Sequence, residues 1–320
     1  MENIVYDLEN EFFNKNIFES RGVNDNYYKI IDEIVNELSH IKPELIDSSS
    51  NMYRYFLNHY DVKEESSFIE RLTLYVFISP NSNGGSFYTK PEETTISNEH
   101  KLVNVFFNLH VYGENGKMSL ESFRETFSHE LHHAYRYYNI LINNGNTFPV
   151  GEQYREKVYN DLNDGAIKAP AIMRDLFYRT DENEILAMCA EVYEVAKNKG
   201  INRENYKEHL DIFEPIQTVK LIDSILSYLK EHKNDSRTID NFGKIYNSFL
   251  AAKNKKQYSN LSAFRLLKQF LNYKKGKILE QFYKVLGKAI MEQEKYISNP
   301  VMNIRNENIL NKIVEGFELW

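Results

Sequence analysis

The sequence predicts an α+β protein in which a small mixed sheet precedes one long helix, with a helical segment before them and a helical bundle after them. Strand-like runs rich in β-branched and aromatic residues occur at 71–79 and 102–112. Directly after them, at Ser119, a helical period of three and four residues begins. Beyond Gly200 one helical stretch follows another, which is typical of a bundle.

Two stretches predict the amino-terminal helical segment, residues 1–65. From Asn26 to Ile41 the apolar residues recur at helical steps, and they are Tyr27, Ile30, Ile31, Ile34, Val35, Leu38 and Ile41. A second helix is predicted at 51–60. Between the two predicted strands, residues 80–85 predict a turn-forming loop, because Pro, Asn, Ser and Gly favour turns.

The long helix is predicted from Ser119 to about Asn143. Ser119 suits the N-cap position, and Glu121 lies in the first turn, where the helix dipole favours an acidic side chain. Its apolar residues are three or four positions apart, and they are Leu120, Phe123, Phe127, Leu131, Ala134, Tyr138 and Leu141.

Further helices are predicted downstream of a looser region at 147–170. Their bounds are about 181–199, 212–229, 239–252, 261–273, 278–296 and 304–317. We therefore expect three regions, namely a helical segment at 1–65, a central domain at 66–200 and a helical bundle at 201–320.

Composition excludes several classes of protein. The net charge is -7, and Lys and Arg are spread along the chain, so we expect no nucleic-acid partner. One cysteine, Cys189, rules out an intramolecular disulfide framework. The sequence has neither a signal-peptide pattern nor an apolar run long enough for a membrane span. We expect a cytoplasmic protein by default, and delivery elsewhere by a non-classical route stays open.

The long helix carries a metal-binding pattern, H-E-x-x-H, at residues 129–133. Four residues of helix turn the chain by about 400 degrees, so His129 and His133 project from one face, one turn apart. Counted from Phe127, they lie at roughly 200 and 240 degrees, away from the apolar face. The two imidazoles are therefore placed to chelate one ion in a cleft.

Glu130 and His132 complete the pattern in different ways. Glu130 points near the same opening, where it can take a proton from a water molecule bound to zinc. His132 points about 100 degrees away from His133, so we expect packing or a surface hydrogen bond for it.

A catalytic zinc site has three protein ligands and one open position, so a residue later in the chain must complete the set. The metzincin continuation requires Gly and His shortly after the motif. The residues that follow here are Ala134, Tyr135, Arg136, Tyr137 and Tyr138, which excludes that branch. A glutamate from a later helix is the other common solution.

Residues 178–187 resemble the third-ligand segment of the gluzincin zinc metallopeptidases. The similarity is greatest to catalytic domains of the anthrax lethal factor type, in which an Arg-Thr pair is followed by an acidic run, the ligand glutamate and an alanine. It covers roughly residues 100–200, and its specific part is the two short motifs. The resemblance implies a zincin-like core, a bound Zn²⁺ ion, and Glu184 as the third ligand, with Ala187 three residues later.

The same resemblance implies a tyrosine that stabilises the reaction's oxyanion, and Tyr178 is the nearest match. The family pattern places that tyrosine one residue earlier, where this chain has Phe177. Glu182 is the rival ligand, but it lies about 200 degrees from Glu184 on a helix, so both cannot face one metal. Glu191, on the same face as Glu184, is either a residue that orients a ligand histidine or an ordinary exposed glutamate.

Together the motifs predict a zinc metalloendopeptidase that acts on a peptide or protein substrate, with Glu130 as base and Tyr178 at the oxyanion. We expect the strand at 102–112 to lie along the cleft edge and to hold extended substrate by strand addition, with His110 facing substrate or partly buried. The alternative is a non-enzymatic protein that keeps the fold and metal site as a binding or structural module. The bundle at 201–320 would then be the surface for partner proteins.

Overall fold

The structure is a computed structural model, and it describes residues 27–81, 84–90, 93–143, 169–253 and 255–297. The helix predicted at 304–317 and most of the looser region at 147–170 lie outside these residues. Within them the protein combines helices with a small mixed sheet, so the predicted α+β class is confirmed.

The described part of the chain has eight strands. Their bounds are β1 Glu44–Asp47, β2 Met52–Asp61, β3 Arg71–Ser79, β4 Gly84–Tyr88, β5 Thr95–Ile96, β6 Leu102–Val103, β7 Val105–Glu114 and β8 Lys117–Met118. The main sheet has the order β1-β2-β3-β7-β4, with β8 paired to β7, while β5 and β6 pair separately. Strands β3 and β7 run parallel and the other neighbours in the main sheet run antiparallel.

Seven α-helices and one 3-10 helix lie in the same described residues. The α-helices are α1 Tyr27–Leu38, α2 Leu120–Asn143, α3 Ala171–Arg179, α4 Glu182–Asn198, α5 Glu214–Glu231, α6 Ser236–Ala252 and α7 Asn260–Ile297, and the 3-10 helix is Tyr206–Ile212. None of the helices that the structure describes has both the length and the apolar character needed to cross a membrane.

The helix predicted at 51–60 is wrong, because this segment is strand β2. Its residues alternate, with Tyr55 and Leu57 buried and Phe56 exposed between them. Strand β2 pairs antiparallel with β3, so that Tyr55 lies opposite Val76. Aromatic side chains fit a half-buried pleated surface, and pairing with β3 decides the conformation. Of the predicted amino-terminal helical segment, the described residues contain only helix α1, followed by two strands.

The strand predicted at 102–112 is interrupted, and it is not an edge strand. Asn104 has a positive φ of 57°, and it separates β6 from β7. Strand β7 then lies between β3 and β4, so its backbone is paired on both sides. The prediction that this strand holds substrate by strand addition is therefore wrong, and within the described residues β4 is the strand at that edge of the sheet.

Helix α2 packs across strands β4 and β7 and also contacts helix α1. The predicted apolar face is buried, since Phe123, Phe127 and Leu131 have no exposed surface. The predicted N-cap is confirmed, because the Ser119 hydroxyl accepts a hydrogen bond from the Ser122 amide at 3.2 Å. This packing fixes which face of α2 remains available for chemistry.

The chain folds into two compact units. Among the described residues, the first unit comprises 169–185 and 208–283, and the second comprises 27–143, 186–207 and 284–297. These units are discontinuous in sequence, whereas the predicted regions at 1–65, 66–200 and 201–320 are consecutive. That division stays a prediction.

The two helices predicted at 261–273 and 278–296 form one helix, α7. Gly276 lies inside it without a positive φ, and a Cβ added there would meet no atom within 4 Å. A glycine inside a helix lowers the free energy of unfolding by only about 1 kcal/mol relative to alanine. Packing of the helix residues before and after the glycine can offset this loss.

Candidate metal centre

Helix α2 presents His129 and His133 on the face opposite its buried apolar residues. The imidazole centroids lie 4.9 Å apart, with the ring planes at 68° to each other. His133 is buried and the His129 side chain is 16% exposed. The two rings are thus neighbours one helical turn apart, as the spacing of the motif predicts.

Glu184 is the third member of this group. Within the described residues, one carboxylate oxygen of Glu184 and one ring nitrogen of each histidine lie within 4.8 Å of one another. Glu184 is carried by α4, and its side chain is buried. The rival Glu182 is exposed two residues earlier on the same helix. Of the two glutamates, the structure therefore brings Glu184 to the histidines.

Glu191 lies two helical turns after Glu184 on α4 and contacts the same group. Its Oε1 lies 2.5 Å from Nδ1 of His129. Glu191 follows Glu184 by seven residues, which places both side chains on one face of the helix. Of the two alternatives for Glu191, contact with a histidine of the motif is confirmed.

An ionic network centred on the buried Arg124 joins helix α2 to α1 and α4. Arg124 of α2 lies 2.5 Å from Asp32 of α1 and 3.6 Å from Glu194 of α4. Burial raises the pKa of Glu194, and the Arg124 guanidinium opposes that effect. Arg124 therefore ties α2 to both neighbouring helices within the second unit.

The surroundings of this network are acidic. Burial, followed by the carboxylates of Glu121 and Glu191, raises the pKa of Glu125 to about 7. Lys199 opposes this shift, and it pairs with Glu121 at 2.5 Å. An accumulation of carboxylates favours cations, so the electrostatics of this region suit a bound metal ion.

Strand β4 holds the side chain of Glu130. The Phe87 amide donates a hydrogen bond to Glu130 Oε2 at 2.7 Å, and the Glu130 side chain is only 5% exposed. A Cβ added to Gly85 would lie 2.8 Å from Cγ of Glu130. The glycine thus makes room for the carboxylate beside the strand.

The donor set fits zinc. Two imidazole nitrogens and one carboxylate oxygen form a ligand set that proteins use for catalytic zinc, with the remaining position open. The second ring nitrogen of a ligating histidine is commonly bonded to a carboxylate, and Glu191 meets His129 in this way. The residues present can therefore hold a divalent metal ion.

Comparison with known proteins gives no match. No family model, no curated protein and no solved structure matches this chain.

Other predicted residues lie in different settings. His132 is buried, and its Nδ1 lies 3.3 Å from the Tyr27 hydroxyl, so the expected packing role is confirmed. His110 is exposed, and its ring stacks on Phe77 with the centroids 4.9 Å apart. Tyr178 is half-buried near the end of α3, and its role at an oxyanion stays a prediction.

Phe177 occupies the position at which the family pattern has its tyrosine. It is buried in the first unit, and its ring stacks on Phe249 with the centroids 4.2 Å apart. Tyr246 and Phe270 lie at 6.4 and 6.3 Å from it. This position therefore belongs to an aromatic core.

Sequence reasoning missed Gly85 and Phe87. Both fall where the sequence predicts a loop or makes no prediction, because adjacent glycines signal a turn. In the structure they belong to strand β4, which pairs with β7. No pattern in this single sequence connects them to Glu130, which is 43 residues away from Phe87.

Proposed function

We propose that this protein is a zinc-dependent metallopeptidase with a zincin-like core, which hydrolyses peptide bonds in a peptide or protein substrate. One observation carries the proposal. His129, His133 and Glu184 present their donor atoms within 4.8 Å of one another, and Glu130 directly follows the first of these histidines on helix α2. A carboxylate next to such a ligand set is the arrangement that metal-assisted hydrolysis requires.

His129, His133 and Glu184 would hold the ion. Bound zinc would act as a Lewis acid, lowering the pKa of water toward about 7 and polarising the substrate carbonyl. Glu191 would orient the ring of His129 through Nδ1, which would leave Nε2 to hold the ion. The carboxylate of Glu130 takes the proton from the attacking water and passes it to the leaving amine.

The hydroxyl of Tyr178 is proposed to stabilise the oxyanion, on the family resemblance alone. Strand β4, at the edge of the sheet, is proposed in place of β7 as the strand along which an extended substrate lies. An edge strand offers backbone groups that the sheet does not pair, and on β4 one of them, the Phe87 amide, binds Glu130; β7 is paired on both sides.

The test combines metal analysis with cleavage of a peptide library prepared from a whole proteome. The wild-type chain should contain one zinc per molecule and should cleave. Glu130→Gln should keep the zinc and lose at least about 100-fold in turnover, because general-base catalysis contributes at least that much. His133→Ala should lose both zinc and cleavage.

Two results would contradict the proposal. Unchanged turnover in Glu130→Gln would remove Glu130 as the base. Stoichiometric zinc without any cleaved product would favour the alternative, a protein that keeps the metal site for binding or structure.

A further inference from the structure

Two residues of strand β4 accommodate Glu130, and we call them the β4 cradle: the Phe87 amide binds the carboxylate, and Gly85 leaves room for it. Strand β4 pairs with β7 so that Phe87 lies opposite Phe107. The N–H groups of a strand alternate in direction, so an amide that donates to Glu130 is directed away from β7. The carboxylate of Glu130 thus caps a backbone donor at the edge of the sheet.

Gly85 lies two residues before Phe87 and therefore on the same face of the strand. A Cβ at Gly85 would lie 2.8 Å from Cγ and 3.0 Å from Oε1 of Glu130, and 3.1 Å from Cδ2 of Leu109. Since Gly85 has no positive φ, the backbone itself accepts an alanine there. The requirement for glycine comes mainly from the space that Glu130 occupies, and Leu109 adds a weaker restriction.

We propose that Gly85 and Phe87 are positioning residues that hold the Glu130 carboxylate in its reactive orientation. This inference rests on the proposed function, because positioning matters only where Glu130 is the base. The Phe87 amide binds Oε2 and thereby fixes rotation of the carboxylate about its terminal bond. Gly85 leaves room for Cγ and Oε1 of Glu130 beside the strand.

The first experiment compares Gly85→Ala with Gly276→Ala, a control in helix α7 where an added Cβ would meet no atom within 4 Å. The alanine at 85 displaces Glu130, and a displacement of about 1 Å can cost about 100-fold in rate. We expect kcat to fall by about that factor in Gly85→Ala, with KM, zinc content and thermal midpoint unchanged. Gly276→Ala should match the wild type in kcat, KM and zinc content.

A Gly85→Ala variant with the kcat of the wild type would overturn the proposal that the β4 cradle positions Glu130. Loss of zinc and a lowered thermal midpoint together with loss of kcat would also overturn it, because that pattern indicates a structural role for Gly85.

The second experiment needs no substrate. Hydrogen exchange of the Phe87 amide is measured in the wild type, in Glu130→Gln, which keeps an acceptor oxygen, and in Glu130→Leu, which has a similar size and no acceptor. We expect slow exchange in the wild type, partial protection in Glu130→Gln, and exchange at least tenfold faster in Glu130→Leu. Equal exchange rates in the three chains would overturn the cradle.

The two proposals fail in different ways. If the wild-type chain protects the Phe87 amide from exchange but cleaves no peptide, the proposed peptidase activity is wrong. The proposal that the β4 cradle holds the Glu130 side chain would still be supported. If the wild-type chain cleaves peptides but its Phe87 amide is not protected from exchange, the proposed peptidase activity stands. The proposal that the β4 cradle positions Glu130 would then be wrong.

Discussion

Oε1 of Glu191 lies 2.5 Å from Nδ1 of His129, although 62 residues separate them in the sequence. The contact joins helix α4 to helix α2 at the first histidine of the motif. A carboxylate bonded to one ring nitrogen fixes the tautomer and the orientation of the ring, and it makes the other nitrogen a stronger ligand.

Glu191→Ala should therefore weaken metal binding. We expect a loss of about 10-fold to 100-fold in zinc affinity, measured by competition with a chromophoric chelator. Glu191→Gln retains an oxygen that can accept from Nδ1, so its loss should be smaller. Equal affinity in Glu191→Ala and the wild type would show that the contact does not orient a ligand.

Glu184→Ala should remove the third ligand, and Glu182→Ala provides the matched control on the same helix. Glu184 is buried beside the histidines, whereas Glu182 is exposed. We expect Glu184→Ala to lose stoichiometric zinc in metal analysis after dialysis, while Glu182→Ala keeps it. If Glu182→Ala loses zinc and Glu184→Ala keeps it, Glu182 is the third ligand. Glu184 would then not bind the metal together with His129 and His133.

Tyr178→Phe should lower kcat if its hydroxyl stabilises the oxyanion. Removal of one such donor typically costs about 100-fold to 1000-fold in kcat. Zinc content should stay unchanged, because this tyrosine is not a member of the group formed by His129, His133 and Glu184. Turnover equal to the wild type would reject Tyr178 and direct attention to another donor.

Phe177→Tyr is the control for that experiment. It restores the family spacing, but the added hydroxyl would enter the aromatic core around Phe249. We expect lower stability without a gain in kcat, since burial of an unsatisfied hydroxyl costs about 1 to 3 kcal/mol. Higher kcat in this variant would show that residue 177 faces the substrate.

The pKa of Glu125 predicts a pH dependence of stability. Burial and the Glu121 and Glu191 carboxylates raise that pKa from 4.5 to about 7. The folded state therefore binds a proton that the unfolded state releases near pH 4.5. This contribution to stability is present at lower pH and is lost as the pH rises from about 4.5 to about 7.

Glu125→Gln should remove this contribution. Denaturant unfolding of the metal-free wild type and of Glu125→Gln at about pH 4.5, 6 and 8, which bracket the two pKa values, gives the difference in free energy between the two chains at each pH. We expect that difference to shift in favour of the glutamine variant as the pH rises, because glutamine does not ionise. A difference independent of pH would contradict the raised pKa.

Local periodicity predicted a large part of the helical structure. The bounds of β3 and α2 match the sequence prediction closely, because both segments carry a clear period and α2 has a serine N-cap. The prediction of a helix at 51–60 was wrong. The aromatic residues of this segment suit either a helix or a strand, and pairing with β3 decides for the strand. The sequence did not predict helix α3. It predicted two helices, separated around Gly276, where the structure has the single helix α7.

The sequence by itself determined the placement of His129 and His133, because helix geometry alone puts residues four apart on one face. It also placed Glu184 and Glu191 on one face of a later helix. Only the tertiary structure decided that this face meets His129, that β4 lies at the sheet edge, and that Phe87 binds Glu130. The physical reason is that backbone dihedrals fix contacts within a helix, whereas contacts between distant segments depend on how whole elements pack.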